Sequence, residues 1–297
     1  MTREVLLVVH TGRQHNLRTA EKVAAQLVGA GVRVRVLTEE APELSSDCYS
    51  AVVAPGALAA EGTELVLVLG GDGTLLRAAE LARMADVPVF GVNLGRVGFL
   101  AGADSDALDE AVGAVVEGRY QVDERMVVDV TATLDGDVLA RSWALNEASV
   151  EKSSRERVLD VVVEVDGHPV SAFGCDGVLC STPTGSTAYA FSAGGPVVWP
   201  DVQALLVVPS NAHALFARPL LVSRESLVAL EVDQQGHEAV LCCDGRRHFD
   251  LPPGARVEVV AADKPMRLVR LHDTAFTDRL VRKFELPVQG WRGPAST

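Results

Sequence analysis

Long apolar runs, a basic stripe and paired cysteines are all missing from this 297-residue chain, and each absence narrows what it can be. No stretch approaches the roughly 20 apolar residues that a membrane span requires. The N-terminus MTREVLLVVHTG has neither the basic region nor the cleavage site of a secretory leader, so a cytoplasmic protein is expected. Acidic residues outnumber basic ones, 40 to 27, for a net charge of −13. A polyanion such as DNA or RNA is therefore not expected as the main partner, since such binders carry a basic stripe. Local basic residues can still meet a small anionic ligand. The five cysteines, Cys48, Cys175, Cys180, Cys242 and Cys243, include no C-x-x-C pair, and their odd number does not make a disulfide framework. Reduced, mostly buried thiols are expected in preference to a metal site.

What is present is ordinary globular material, 48% hydrophobic and without low-complexity tracts, enough for roughly two domains of about 150 residues. Up to residue 125 strand-like and helix-like segments alternate: EVLLVVH, then LRTAEKVAAQLVGAG closed by glycine, VRVRVL, LVLVL, VPVFGVN and DALDEAVGAVVEG. This is the pattern of parallel strands with crossover helices. From residue 126 to 271 the period changes to alternating strands with hairpin turns. Asp135-Gly136 and Asp166-Gly167 are two-residue hairpin signals, which predicts a mostly antiparallel β domain. The segment 272–297, with TAFTDRLVRKFEL, reads as helical again and is expected to pack back on the first domain.

Four stretches carry chemistry. In LVLVLGGDGTLLRAAE an apolar run ends against Gly70, Gly71, Asp72 and Gly73, before a helix predicted from Thr74 onward. A glycine-rich strand-to-helix turn lets a ligand approach the backbone, and the N–H groups of the helix start favour phosphate. GVNLGRVGFLA is a second such turn, although its glycines do not give the G-x-G-x-x-G spacing. Phe99 within it is either core or a platform for a purine. ALNEASVEK sets Asn146 and Glu147 at the end of a strand-like run, where an amide and a carboxylate can turn to one ligand or simply form a surface turn. CDGVLCSTPTGSTAYAFSAGGPVV gathers Ser181, Thr182, Thr184, Ser186, Thr187 and Ser192 among glycines with no Lys or Arg. Small hydroxyl residues suit a backbone wrapped around a polar, planar ligand, or else a small-residue helix start with a Thr cap.

Taken in this order, GGDGTLLRA, NLGRVGFLA, LNEASV and DGVLCSTPTGSTAYAFSAGG resemble the NAD kinase family along nearly the whole chain. GGDGT alone is shared with diacylglycerol and sphingosine kinases. The long Thr/Ser/Gly segment after an Asn-Glu pair is what selects NAD kinase. The resemblance implies a Rossmann-like, phosphofructokinase-like α/β domain followed by a β-rich NAD-binding domain. It implies phosphorylation of the adenosine ribose 2′-hydroxyl of NAD to give NADP, with Mg-ATP or polyphosphate as donor. By similarity Asp72 is the general base, Gly73 meets ligand through its backbone and Arg77 faces a phosphate. Asn146 and Glu147 hold the adenosine end. Thr187, Ala188, Tyr189, Ala190, Phe191 and Ser192 line the adenine and ribose pocket, with Phe99 near it.

Arg157 falls where relatives have a basic or histidine ligand contact, Arg246, just after CDG, is a further candidate ligand contact, and Asp176 matches an Asp near the nicotinamide end. That end is completed by a neighbouring subunit in the family, so a homotetramer or homodimer is expected. Gly174 stands where NAD-selective relatives carry a bulky basic residue, which implies some use of NADH. Mg²⁺ or another divalent cation is expected with the donor, without nameable ligands. The competing readings are a lipid or sugar kinase that shares the GGDG turn, and a non-catalytic NAD sensor. The hydroxyl-rich segment is the wrong lining for acyl chains, and the retained Asp72 argues against a sensor.

Overall fold

A computed structural model describes residues 3–95, 97–271 and 275–288, and these fall into two compact units. The first unit comprises the chain up to Glu124 together with the part from Met266 onward, and the second runs from Arg125 to Pro265.

The first unit is built on an eight-stranded sheet. Its path runs Ala51–Val53, Arg33–Leu37, Glu4–Val9, Leu65–Leu69, Val89–Asn93, Met266–Arg270 and Gln121–Arg125, with Ala103–Asp104 paired off Val89–Asn93. Pairing is parallel from Ala51–Val53 through Met266–Arg270. The central strands Leu65–Leu69 and Val89–Asn93 are buried at every residue, as a sheet covered on both faces requires. The helix Gln14–Gly29 buries Ala20, Val23, Ala24 and Leu27, one stripe at helical spacing, against Val5, Leu7, Val9, Leu65 and Leu67. The helix Asp72–Ala82 packs on the same central strands. It starts at Asp72, two residues before the position that the apolar spacing predicts, because the polar first turn adds nothing to that spacing.

The chain re-enters this unit with the strand Met266–Arg270, whose Leu268 lies opposite Val89. By sequence pattern that strand belongs to the β domain, expected to end at residue 271. Five residues with arginines at 267 and 270 carry too little pattern to reveal their sheet. The helix Phe276–Phe284 follows and packs within this unit, and residues 272–274 and 289–297 of the predicted segment lie outside the described residues.

The second unit holds two six-stranded sheets, antiparallel throughout. One runs Leu220–Ser223, Ala204–Ser210, Gly177–Ser181, Glu147–Lys152, Ala239–Cys243, Arg247–Leu251. The other runs His168–Cys175, Leu159–Val165, Val228–Val232, Arg256–Ala261, Val128–Leu134, Asp137–Ala144. A single apolar cluster draws Val150, Val178 and Leu241 from one sheet and Val130, Val161 and Leu230 from the other, so the sheets share one core. Asp135-Gly136 and Asp166-Gly167 form the two predicted two-residue turns, with positive φ at all four residues. Cys175, Cys180, Cys242 and Cys243 are buried in this unit and all five thiols are free. Among the described residues no helix is long and apolar enough to cross a membrane.

Candidate functional site

In the first unit the strand Leu65–Leu69 ends at Gly70-Gly71, and Asp72 opens the next helix, where a carboxylate complements the helix N-terminus. Both of its oxygens are oriented from the second glycine-rich turn. The Phe99 N–H donates to Oδ2 at 3.1 Å and the Leu100 N–H to Oδ1 at 3.2 Å. Each oxygen keeps a lone pair for a hydroxyl. The turn comes this close because residue 98 is glycine: a Cβ there would lie 2.4 Å from Asp72 Oδ1. Gly73 is exposed in the first helical turn.

Phe99, a candidate purine platform, has its ring between Phe276 and Phe284, at centroid distances of 5.9 and 5.8 Å. What it gives Asp72 is its N–H. Arg77 differs from expectation as well. Its guanidinium donates to Glu39 at 2.7 Å, to the Val9 carbonyl at 3.1 Å and to Glu40. Burial pushes the Glu40 carboxyl up to about 7 against the pull of Arg77. A carboxylate that deep demands a cation, and Arg77 is the one supplied.

In the second unit Asn146 and Glu147 stand at the start of the strand Glu147–Lys152 and both are buried, 6% exposed each, rather than forming a surface turn. Their backbone is held by Asp244, which accepts N–H bonds from Leu145 at 3.0 Å and Asn146 at 2.7 Å and pairs with Arg247 at 2.8 Å. Arg247 in turn lies 4.4 Å over the Trp143 ring. Three buried oxygens of this region, Asn146 Oδ1, Glu147 Oε2 and Thr184 Oγ1, have no hydrogen-bond partner among the described residues. Buried polar atoms left open in this way suit a polar ligand with hydroxyl and amino groups.

Burial first, and then the Asp244 charge, raise the Glu147 carboxyl from 4.5 to about 8, opposed by the N–H groups of Tyr189 and Ala190. Between those two pH values the folded protein holds a proton that the unfolded chain has released. The stability tied to this neutral carboxyl is therefore complete below about pH 4.5 and is lost as pH rises through about 8. Glu147→Gln cannot ionise. It should flatten the fall of Tm with rising pH across that window, by on the order of a few kcal/mol at its upper end. Thermal melts of both proteins at a series of pH values test this, and parallel curves would rule out Glu147 as the source.

The hydroxyl-rich segment divides in two. Ser181, Thr182 and Ser186 do not line a ligand surface. Their hydroxyls donate to the carbonyls of Asn146 (3.1 Å), Leu145 (2.6 Å) and Pro183 (2.7 Å), which ties the turn Thr184–Thr187 to the Asn146 backbone. Ala190 points into a core of Leu179, Leu206 and Val208 and offers only its N–H. Thr187 and Ala188 are half-buried, while Tyr189, Phe191 and Ser192 are exposed on the short helix Tyr189–Ser192.

Asp176 is paired with Lys152 at 2.5 Å and accepts from Asn211 at 2.8 Å; Lys152 above all holds its carboxyl below the usual range. Gly174 bridges to His213. Arg157 lies exposed in the loop after Glu147–Lys152, and Arg246 is exposed beside Asp244 in the hairpin turn. Two residues of consequence carry little signal in the sequence. Asp244 is signalled only by the Asp-Gly turn, and Arg279 only as one cation on a terminal helix. Among the described residues no group of three His, Cys, Asp or Glu is placed to hold a metal.

An α/β unit with a glycine-bracketed carboxylate and a β unit with a buried amide-carboxyl pair define a two-part nucleotide-handling protein. Residues 5–120 match the model of the ATP-NAD kinase N-terminal domain, and residues 145–271 that of the ATP-NAD kinase C-terminal domain. The chain is 56% identical to the NAD kinase of Nocardia farcinica over 308 residues, covering 99% of this chain and 95% of that one. It is 58% identical to NAD kinase 2 of Streptomyces coelicolor over 294 residues, covering 98% and 97%. Yeast NADH kinase complexed with NADH has the same fold, with a TM-score of 0.87 at 22% identity over 96% of this chain and 88% of its own. An Archaeoglobus fulgidus NAD kinase in complex with ATP gives 0.71 at 24% identity, over 97% and 100%. The chain belongs to the NAD kinase family.

Proposed function

We propose that this protein transfers the γ-phosphoryl group of ATP to the adenosine ribose 2′-hydroxyl of NAD, with Asp72 as the general base. The hydroxyl oxygen bonds to the γ-phosphorus as the bond to the ADP oxygen breaks, and the hydroxyl proton passes to Asp72. A ribose hydroxyl is a poor nucleophile at neutral pH, so a fixed proton acceptor is what the reaction needs. The observation that carries this reading is the Asp72 carboxylate, oriented at both oxygens by the N–H groups of Phe99 and Leu100. The names of the relatives agree with it, as do the NADH and ATP bound in the two similar structures.

Asn146, Glu147 and the residues from Thr187 to Ser192 bind the adenosine end, where Asn146 Oδ1 and Glu147 Oε2 lack partners among the described residues. A Glu147 carboxyl that keeps its proton near neutral pH can donate to a ribose or purine acceptor as well as accept. Mg²⁺ enters with the donor as Mg-ATP, where it neutralises charge on the transferred group. Inorganic polyphosphate is the alternative donor. Gly73 meets phosphate through its N–H, Arg157 and Arg246 supply positive charge, and Asp176 serves the nicotinamide end in a homo-oligomer. The deciding experiment is incubation with NAD and Mg-ATP, with NADP detected through an NADP-specific dehydrogenase. A protein that binds NAD but never yields NADP with ATP or polyphosphate would be a sensor.

Gly174 sets the choice between oxidised and reduced substrate. A bulky side chain there, as the resemblance places in NAD-selective relatives, would fill this space, and its Cβ would meet Val158 Cγ1 at 2.8 Å, an exposed side chain that can move aside. Gly174→Arg should lower kcat/KM for NADH about tenfold more than for NAD, about 1.4 kcal/mol of discrimination. Equal loss with both would remove Gly174 from the specificity determinants.

A further inference from the structure

We propose that Arg279 is a positioning residue for Asp72, acting through the peptide bond between Phe99 and Leu100. The inference rests on Asp72 being the proton acceptor. Arg279 sits on the helix Phe276–Phe284, and its Nη1 donates to the Phe99 carbonyl at 3.1 Å and also to the Ala101 carbonyl. The Phe99 carbonyl and the Leu100 N–H belong to one peptide unit. In a trans peptide these two groups point in opposite directions and rotate together. One face of the unit is gripped by a guanidinium, and the other delivers the N–H that meets Asp72 Oδ1 at 3.2 Å. Turning the peptide plane would break both bonds at once. The cation also polarises the carbonyl and so strengthens the N–H it shares a peptide with.

The rest of the helix holds the same turn. Phe276 and Phe284 clasp the Phe99 ring at 5.9 and 5.8 Å, Lys283 Nζ donates to the Val97 carbonyl at 2.6 Å, and Arg282 pairs with Asp104 at 2.9 Å. None of these reaches the carbonyl of the peptide that orients Asp72; Arg279 does. The arrangement separates two tasks. The aromatic rings and Lys283 fix where the turn lies, and Arg279 fixes how one peptide plane within it is rotated. Burial lowers the pKa of this guanidinium, while Asp104 and Asp72 favour its charge. A half-buried cation spent on two backbone carbonyls costs desolvation that a general stabilising role would not need.

The test is a double-mutant cycle on the full chain, with turnover measured at saturating NAD and Mg-ATP. Arg279→Met should lower kcat about tenfold to a hundredfold, the scale of a misplaced reacting group, and leave KM for NAD within about threefold. Arg279→Lys keeps one donor and should recover part of the loss. In the Asp72→Asn background Arg279→Met should cost less than about twofold more, because the carboxylate it orients is gone. Val23→Ala, which loosens the core of the first unit on the helix Gln14–Gly29, should lower Tm with little change in kcat. If Arg279→Met does not fold, the cycle is run with Arg279→Lys.

A collapsed Asp72→Asn together with an equal fold-loss from Arg279 in both backgrounds would overturn the inference and leave the base assignment standing. A kcat loss from Val23→Ala as large as that from Arg279→Met would overturn it too. Near-parental turnover of Asp72→Asn alone would remove the base assignment, and this inference with it.

Discussion

Asp72→Asn should reduce turnover with NAD and Mg-ATP by about 10² to 10⁴, the usual contribution of a general base, or roughly 3 to 5 kcal/mol of barrier. The amide has the size of the carboxylate but takes up no proton at neutral pH. It can still accept the Leu100 or Phe99 N–H through its single oxygen, so the turn should keep its place. Binding should change far less. The adenosine end is assigned to Asn146, Glu147 and the residues from Thr187 to Ser192, and one lost hydrogen bond is worth about 1 kcal/mol. NAD affinity measured by calorimetry should therefore stay within about tenfold of the parent while NADP formation collapses. Near-parental turnover would exclude Asp72 as the base. A mutant that loses affinity and turnover in equal measure would make Asp72 a binding group instead.

Much of this site is legible in the sequence because it consists of residues that local pattern exposes. An apolar run cut by Gly70, Gly71, Asp72 and Gly73 marks a strand-to-helix turn, and the structure has that turn, with the helix beginning at Asp72 itself. The hairpins at Asp135-Gly136 and Asp166-Gly167 announce the antiparallel unit through the positive φ both turns require. What stays hidden depends on long-range partners. The Arg77 in GGDGTLLRA looks ready for a phosphate, yet its destination is decided by Glu39 and Glu40, 37 or 38 residues away in sequence. Ser181, Thr182 and Ser186 look like ligand contacts by composition, but a buried hydroxyl must find an acceptor, and the nearby carbonyls supply it. Met266–Arg270 is too short to declare its sheet, and Arg279 gains its meaning from carbonyls 178 and 180 residues earlier. Residue type and period reveal which backbone conformations are needed; they do not reveal which distant group closes each hydrogen bond.

Gly185→Ala should be the most damaging single methyl group in the second unit. A Cβ on Gly185 would lie 2.0 Å from the Asn146 carbonyl oxygen, 2.4 Å from its carbon and 2.6 Å from its Cα. These are backbone atoms of a strand start and cannot swing aside as a side chain end can. The same carbonyl accepts the Ser181 hydroxyl at 3.1 Å and the Thr182 N–H at 2.8 Å, so moving it strains two further buried bonds. Overpacking of this kind costs about 1 to 3 kcal/mol or more, and each weakened bond about 1. At roughly 2 to 4 °C per kcal/mol, Tm should fall by about 6 to 20 °C. Because the displaced backbone carries Asn146 and leads into Glu147, NAD affinity should drop more than tenfold even where the protein remains folded. Gly113→Ala is the control: on the helix Leu108–Glu117 a Cβ there meets nothing within 4 Å, and replacing a helical glycine should be neutral or stabilise by up to about 1 kcal/mol. Calorimetric melts and NAD titrations of both variants separate the cases. If Gly185→Ala loses stability without affinity, the turn Thr184–Thr187 supports the fold alone; if it loses affinity at parental Tm, the turn has room to shift and its task is to hold Asn146 and Glu147 toward the ligand.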